Sequence, residues 1–502
     1  MTERRLWRGL IVVVLVALAA LFPAMLNGGP FFHPDTPSYL RAAAAGAFKL
    51  FGIQSDWTQE YLQVYATAPA PVATTGSVAA TGSVAATPDV PVTLSGRSIY
   101  YGFLAYLAYL AGRFWLLIAL QSILAATSVY LTIRLIGRAA GVDVPERKIL
   151  LVGLVTALAS SLGFNSSYVM PGIFAGLGLL AEANLLFLWR SQSRWEKLFW
   201  VALMAYVMLV HTTDLILALV VIVLGLAYSF WRKIPWTASQ LASIGGCILA
   251  GALGQMAFGY AVTVSTGAPP IRPPFVAMRL IADGSGYAYL REHCATENYF
   301  YCRALREPNM TADIFLWSRD PQTALFRGLP EREQRRSAAE QGRFVAAVVA
   351  DRPVQVIGEM TSNSLRQLFN LDLVEFNYTP ENRDRFEETM PPDLLNSMKN
   401  SRAYNDRMPV NIFEASIYLI TFASLIALII FISSKERSLI PGHLRGYCLC
   451  ILAAIVANAI ICGALSGPKG RYQTRLIWVM PVVAGALISF RKRQITRSPE
   501  SA

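Results

Sequence analysis

Four short stretches of this chain carry groups able to move a proton or hold an anion. "FFHPDTPSYLR" (31–41) sets His33 two residues before Asp35, between Pro34 and Pro37, with Tyr39 following. "PKGRYQTR" (468–475) sets Lys469, Arg471 and Arg475 around Tyr472, "SGRS" holds Arg97, and "VMLVHTTDLIL" holds His211 and Asp214. A carboxylate within hydrogen-bond reach of a hydroxyl can take its proton. Fixed ammonium and guanidinium groups stabilise negative charge where it accumulates. Each stretch also has a plainer reading. Asp35 before Thr36, Pro37 and Ser38 is ordinary N-capping chemistry, Asp214 can cap the helix that follows it, and cations at the end of an apolar run snorkel towards headgroups. On the residues alone both readings stay open.

The elements that must position these groups are membrane helices. Of 502 residues, 54% are hydrophobic and 15% charged, and the mean hydropathy is +0.42, which excludes an ordinary soluble domain. The formal charge of +12 does not imply nucleic acid, because Lys and Arg fall in short patches between apolar runs rather than on one soluble face. Apolar runs at 9–27, 114–137, 149–164, 171–189, 197–211, 214–231, 238–264, 411–433, 444–465 and 474–490 predict about ten spans. The first has the basic start of a signal peptide, but its apolar core is long and more spans follow, so it is read as retained.

With a cytoplasmic N-terminus, basic residues such as Arg4, Arg5, Arg138, Lys148, Arg194, Arg232, Arg445 and Arg491 all fall in inner connections, as the positive-inside rule requires. That register holds only if "SIYYGFLAYLAYLAG" (98–112) is an interfacial or re-entrant helix feeding one span from about 114. The reading is then a multi-pass protein of a bacterial inner membrane with both termini cytoplasmic. It divides into an N-terminal transmembrane module (1–264), a mostly helical external domain (265–410) and a C-terminal transmembrane module (411–502). The first external loop, 28–113, contains the tandem hexapeptide TGSVAA at 75–80 and 81–86, a polar repeat with little to bury. Cys247, Cys448, Cys450 and Cys462 lie in apolar runs as core residues. Cys294 and Cys302 lie in a polar stretch and suit a disulfide if it faces an oxidising compartment. Glu182, inside an apolar run, is costly there and therefore a functional suspect.

In order and layout these stretches resemble the GT-C membrane glycosyltransferases, which include lipid A aminoarabinose transferases and protein O-mannosyltransferases. The resemblance rests on "FFHPDTPSYLRAAAAGAF" after the first span, "SGRSIYYGFLAYLAYLAG" before the second, and "GPKGRYQTRLIWVMP" at the last. It covers residues 1–190 in layout and the last span in motif. It implies an all-helical GT-C-like bundle with external juxtamembrane helices. The implied activity is inverting transfer of a sugar from a polyprenyl-phosphate donor to a lipid, glycan or protein hydroxyl on the external face.

By motif match the role of general base falls on Asp35. Many members carry a second acid after that aspartate; this chain has Thr36 there, with His33 as a substitute partner. A departing phosphate needs positive charge already in place, expected from Lys469, Arg471, Arg475 and Arg97, with Arg272 and Arg279 behind them. His33, Tyr39, His211, Asp214 and Tyr472 are expected to line the substrate cavity, and the turn holding Asn165 and Tyr168 to face it. No Walker-type loop calls for a nucleotide, and no ligand cluster requires a metal, although a divalent ion could be accommodated. The competing class is a lipid or glycolipid transporter, which usually places several ionisable groups near the midplane in paired halves. A third reading is a scaffold that binds cell-wall material, for which Asp35 would be dispensable.

Overall fold

The computed structural model describes residues 3–59, 93–96, 98–112, 114–210, 212–307, 309–434 and 441–495. The tandem hexapeptide, Arg97 and His211 lie outside them. Among the described residues the chain is helical, with two isolated bridges, Phe31 to Tyr168 and Leu94 to Ile271, and no strand. Among the described residues six helical stretches are long and apolar enough to cross a bilayer: Glu3–Asn27, Phe114–Ala139, Thr213–Trp231, Ala238–Thr266, Val410–Ser433 and Gly442–Leu465. The chain is therefore an all-helical membrane protein.

The other apolar runs are helical as well but shorter. Glu146–Ala159 has 14 residues, Ile173–Phe187 has 15, and Arg194–Val210 and Val479–Ile495 have 17 each. At about 1.5 Å of rise per residue each falls short of a hydrocarbon core of roughly 30 Å. The cause is local. Ser160 and Ser161 end the first helix inside the run 149–164 and leave the short turn of helix Leu162–Ser166, and Pro171 and Gly172 delay the start of the next helix to Ile173. Ile99–Leu110, with 12 residues, is likewise too short to cross.

The chain forms two compact units. One comprises residues 1–37, 107–255 and 358–502, the other 38–106 and 256–357. Residues 358–410 thus group with the span-rich unit.

In that unit the first helix, Glu3–Ala20, packs on Phe114–Ala139 and Glu146–Ala159. Gly9 lies under the Tyr130 ring and Gly153 under Val16, small residues that let helices approach closely. Ile173–Phe187 is buried on every side, with Gly178 against Val207 and Gly176 beneath Trp478. Helix 353–369 is inverted over its second half: Asn363 and Gln367 are buried, while Leu365 and Phe369 are each 55% exposed. Gly463 of the Gly442–Leu465 span receives its buried face.

The first span ends at Asn27, and Gly28 (φ 87°) turns the chain out in a left-handed conformation that suits glycine. The extended stretch that follows is pinned along its length. Ala403 N–H donates to the Asn27 side chain at 2.8 Å, and Arg402 N–H to its carbonyl at 3.0 Å. Phe31 exchanges backbone hydrogen bonds with Ser167 and Val169. Phe32 N–H donates to the buried Tyr378 hydroxyl at 2.8 Å. Beneath it Phe31, Phe164, Tyr168 and Phe376 form a cluster with ring centroids 4.9–5.9 Å apart.

In the other unit a disulfide joins Cys294 to Cys302. Tyr289, Tyr299 and Tyr301 pack around Phe344 of the Glu331–Asp351 helix. Tyr301 donates its hydroxyl to the Ser337 carbonyl, and Arg303 grips Glu333 with two hydrogen bonds of 2.6 and 3.0 Å.

Candidate functional site

The pinned stretch ends at His33, Pro34 and Asp35. Thr36 closes the turn: its N–H donates to the His33 carbonyl at 2.8 Å, its hydroxyl donates to the Val169 carbonyl at 3.0 Å, and that hydroxyl accepts from His33 N–H. Thr36 is thus a framework residue, which explains why a hydroxyl rather than a second acid stands there. The turn brings His33 Nδ1 to 3.5 Å from the Asp35 carboxylate and 3.0 Å from the Asp35 amide.

The other wall comes from the far end of the chain. Ser466 and Gly467 end the Gly442–Leu465 span, and the helix Gly470–Ile477 starts at once. Gly470 has no side chain because Asp372 fills the space where a Cβ would stand. Lys469 is fixed by Gln367, which exchanges hydrogen bonds of 2.8 and 2.9 Å with its backbone. Arg471 then reaches His33 Nε2 through Nη1, Glu375 at 3.4 Å, and the Tyr472 hydroxyl at 3.3 Å. Tyr168 donates to the same Glu375 carboxylate at 3.4 Å. The side chains of His33, Asp35, Glu375 and Arg471 are 12, 16, 21 and 18% exposed, so the cluster is sheltered yet open to a ligand.

Its electrostatics follow from that shelter. Burial pulls the Arg471 guanidinium down, but the Glu375 and Asp35 carboxylates outweigh it and hold the group above its ordinary value. Burial also raises the Tyr472 phenol, yet Arg471 and Lys469 overcome it and bring the phenol below its usual range. Tyr168 goes the other way, raised well above the ordinary value by burial reinforced by Glu375. One phenol is prepared to accept negative charge and the other to keep its proton.

The remaining candidates lie elsewhere. Arg475 is one turn beyond Arg471 but buried; it pairs with Asp214 at 3.6 Å and donates to Asn458 at 3.0 Å. Asp214, expected in the same external cavity as Asp35, is instead 4% exposed and turned to Arg475. Asn165 is framework too, donating to the carbonyls of Ser161 and Thr474. Tyr39 belongs to the other unit, where its ring stands edge-on to Tyr101 at 5.6 Å. Arg279 of that unit pairs with Asp283. Sequence reasoning missed Glu375, Tyr378 and Asp372, all in the stretch "LDLVEFNY" (371–378), where the only signal is two acids embedded among apolar and aromatic residues.

Among the described residues no group of three His, Cys, Asp or Glu side chains is arranged to hold a metal ion. Comparison of the chain with protein-family models, with curated proteins and with solved structures finds no match in any of the three.

Proposed function

We propose that this protein is a membrane glycosyltransferase, which moves a sugar from a polyprenyl-phosphate donor to a hydroxyl of a lipid, glycan or protein at the external face of a bacterial inner membrane. The supporting observation is the meeting of Asp35 and His33 with Arg471, since a proton acceptor and a phosphate-sized cation are the two groups such a transfer requires in one place. In this reading the shorter helices complete a GT-C-like bundle of about ten membrane helices, with both termini cytoplasmic.

The acceptor oxygen attacks the anomeric carbon and its proton passes to the Asp35 carboxylate. The bond from that carbon to the phosphate oxygen breaks with its electron pair, so the configuration inverts and the lipid phosphate leaves. Arg471, with Lys469 beside it, takes up the charge that develops on the phosphate. Arg471 is held meanwhile by Glu375; at 3.4 Å the gross attraction is about 5 kcal/mol for an effective dielectric near 20. A doubly charged phosphate outbids that carboxylate, so the guanidinium is kept in place without being locked away. Arg475, paired with Asp214, supports the helix and does not touch substrate.

The test is transfer of labelled sugar from polyprenyl-phosphate sugars, extracted from the native host, in proteoliposomes of wild type and Asp35→Asn. Transfer that vanishes in the variant while donor binding persists is the expected result. Equal transfer by both would reduce Asp35 to a helix cap, and movement of the lipid across the bilayer without transfer would identify a transporter.

A further inference from the structure

The second half of helix 353–369 is arranged for a solvent other than water. Its inward face carries Asn363 and Gln367, both buried, and Gln367 exchanges hydrogen bonds with the Lys469 backbone through both ends of its amide. At about 100° of turn per residue the opposite side carries Thr361, Ser362, Leu365, Leu368 and Phe369, with no charged group among them. The hydroxyls come first and the hydrocarbon last, so the outward side becomes oily towards Phe369. More than half of the surface of Leu365 and of Phe369 is left open.

That oily end is fastened to a membrane span well inside the span's length. The Tyr418 hydroxyl donates to the Phe369 carbonyl at 3.0 Å and accepts from Leu371 N–H at 3.2 Å, and Leu373 N–H donates to Glu414 at 2.7 Å. Measured along Val410–Ser433, Tyr418 lies about 12 Å and Glu414 about 6 Å from Val410. A helix of 24 residues is about 36 Å long and overhangs a hydrocarbon core of roughly 30 Å by about 3 Å at each end. Tyr418, and with it Phe369 and Leu371, then lies within the hydrocarbon, while Glu414 and Leu373 lie near its boundary. The span is open to lipid on both sides of this level, with Ile412 71% and Leu419 74% exposed.

We propose that residues 363–371 are inserted in the bilayer, with Leu365, Leu368 and Phe369 among the acyl chains of one leaflet and Asn363 and Gln367 turned to the protein. Water would favour the reverse arrangement, with the amides solvated and the hydrocarbon buried. The turn that follows the helix meets the condition lipid imposes, since non-helical backbone at membrane depth must find its partners within the protein. Asn370 N–H donates to the Gln367 carbonyl, Leu371 N–H to Tyr418, Asp372 N–H to the Asn370 side chain and Leu373 N–H to Glu414. Four successive amides are thus satisfied without water. The occupant is lipid rather than a second protein, because acyl chains already surround the span to which this end is bonded. Glu375, which holds Arg471, comes just after Leu373, so insertion keeps one wall of the Asp35 cluster near the boundary of hydrocarbon and headgroups, whatever reaction the protein performs.

The experiment is nitroxide spin labelling of the full-length protein in vesicles of phosphatidylcholine and phosphatidylglycerol. Leu365→Cys and Phe369→Cys are the test sites, Leu419→Cys is the lipid reference, and Asp393→Cys, exposed on the helix Pro392–Lys399, is the water reference. Cys247, Cys448, Cys450 and Cys462 are buried, and wild type treated with the label serves as the blank. The expected result is a ratio of oxygen to water-soluble nickel-complex accessibility several-fold above that of Asp393→Cys at both test sites. A ratio equal to that of Asp393→Cys at either site means that water covers the face, and overturns the proposal. Labels that neither reagent reaches mean that protein covers it, a second copy of this chain included, and overturn it as well. Should the variants not fold, wild type in the same vesicles is photolabelled with a membrane-partitioning diazirine and mapped by peptide mass spectrometry. Adducts within 363–371 as well as on the Val410–Ser433 span support insertion; adducts on the span alone overturn it.

Discussion

Arg471 Nη1 is in hydrogen-bond contact with His33 Nε2, although 438 residues separate the two in the chain. An arginine only donates, so His33 faces two donors, Arg471 Nη1 at Nε2 and the Asp35 amide at Nδ1 at 3.0 Å, with the Asp35 carboxylate 3.5 Å from Nδ1. A neutral imidazole carries one N–H, so a phosphate that draws Arg471 away lets that proton sit on Nε2 while Nδ1 keeps the Asp35 amide. The proton position on His33 is thus tied to the occupancy of Arg471.

Replacing Arg471 by Gln removes the charge that receives the leaving phosphate. Transfer should fall by roughly 10²–10³-fold, the usual loss of one preorganised donor. Arg471→Lys should recover part of it. Turnover of labelled donor in proteoliposomes measures both; full activity in Arg471→Gln would remove this residue from the site.

Tyr472 should ionise earlier than an ordinary tyrosine, because Arg471 and Lys469 outweigh its burial. Its folded value lies below its unfolded value near 10. Between the two the unfolded chain binds more protons, so Tyr472 adds stability as pH rises through that window, fully above it, and the contribution is lost as pH falls through the folded value. Tyrosinate absorbance of wild type minus Tyr472→Phe should show one early-titrating phenol, which Arg471→Gln shifts back up.

The Tyr378 hydroxyl is the acceptor for buried Phe32 N–H, one residue before His33. Tyr378→Phe leaves that amide unsatisfied, at a cost of about 1–3 kcal/mol. As a positioning residue, Tyr378 should lower turnover with little change in donor KM when removed. A drop in KM and turnover together, or none in either, would separate it from the Asp35 turn.

The apolar runs of the sequence locate helices, six of which among the described residues are long enough to cross a bilayer, and "HPDTP" and "KGRYQTR" stand at the ends of such runs. What local pattern cannot hold is contact between distant segments. Glu375 looks like any surface acid until Tyr168 and Arg471 meet it from positions 207 and 96 residues away. Arg475 and Arg471 are indistinguishable in sequence, yet one turn of helix points the first at Asp214 and the second at His33. Helix length is hidden for a different reason, because polar breaks such as Ser160–Ser161 shorten an apolar run that hydropathy averages over.

Gly470→Ala drives a methyl group into the backbone and carboxylate of Asp372. Backbone cannot step aside as a flexible side chain can, so a loss on the order of 1–3 kcal/mol is expected. A lowered unfolding midpoint checks this, together with loss of the early Tyr472 titration.

The Cys294–Cys302 bridge closes a loop with a sequence separation of 8. Such a short loop is worth roughly 2–3 kcal/mol in chain entropy. Both thiols should resist maleimide until reduced, and Cys294→Ser/Cys302→Ser should make the Glu331–Asp351 region easier to cut with protease. Labelling of either thiol without reductant would contradict the bridge.

The helix half that buries Asn363 and Gln367 while presenting Leu365 and Phe369 is inside out by the standards of a protein in water. A fragment covering residues 265–410, excised as though it were a soluble ectodomain, would carry this oily edge into buffer. Such fragments should self-associate or precipitate rather than behave as monomers, and biochemistry on the region calls for the intact chain in an amphiphile.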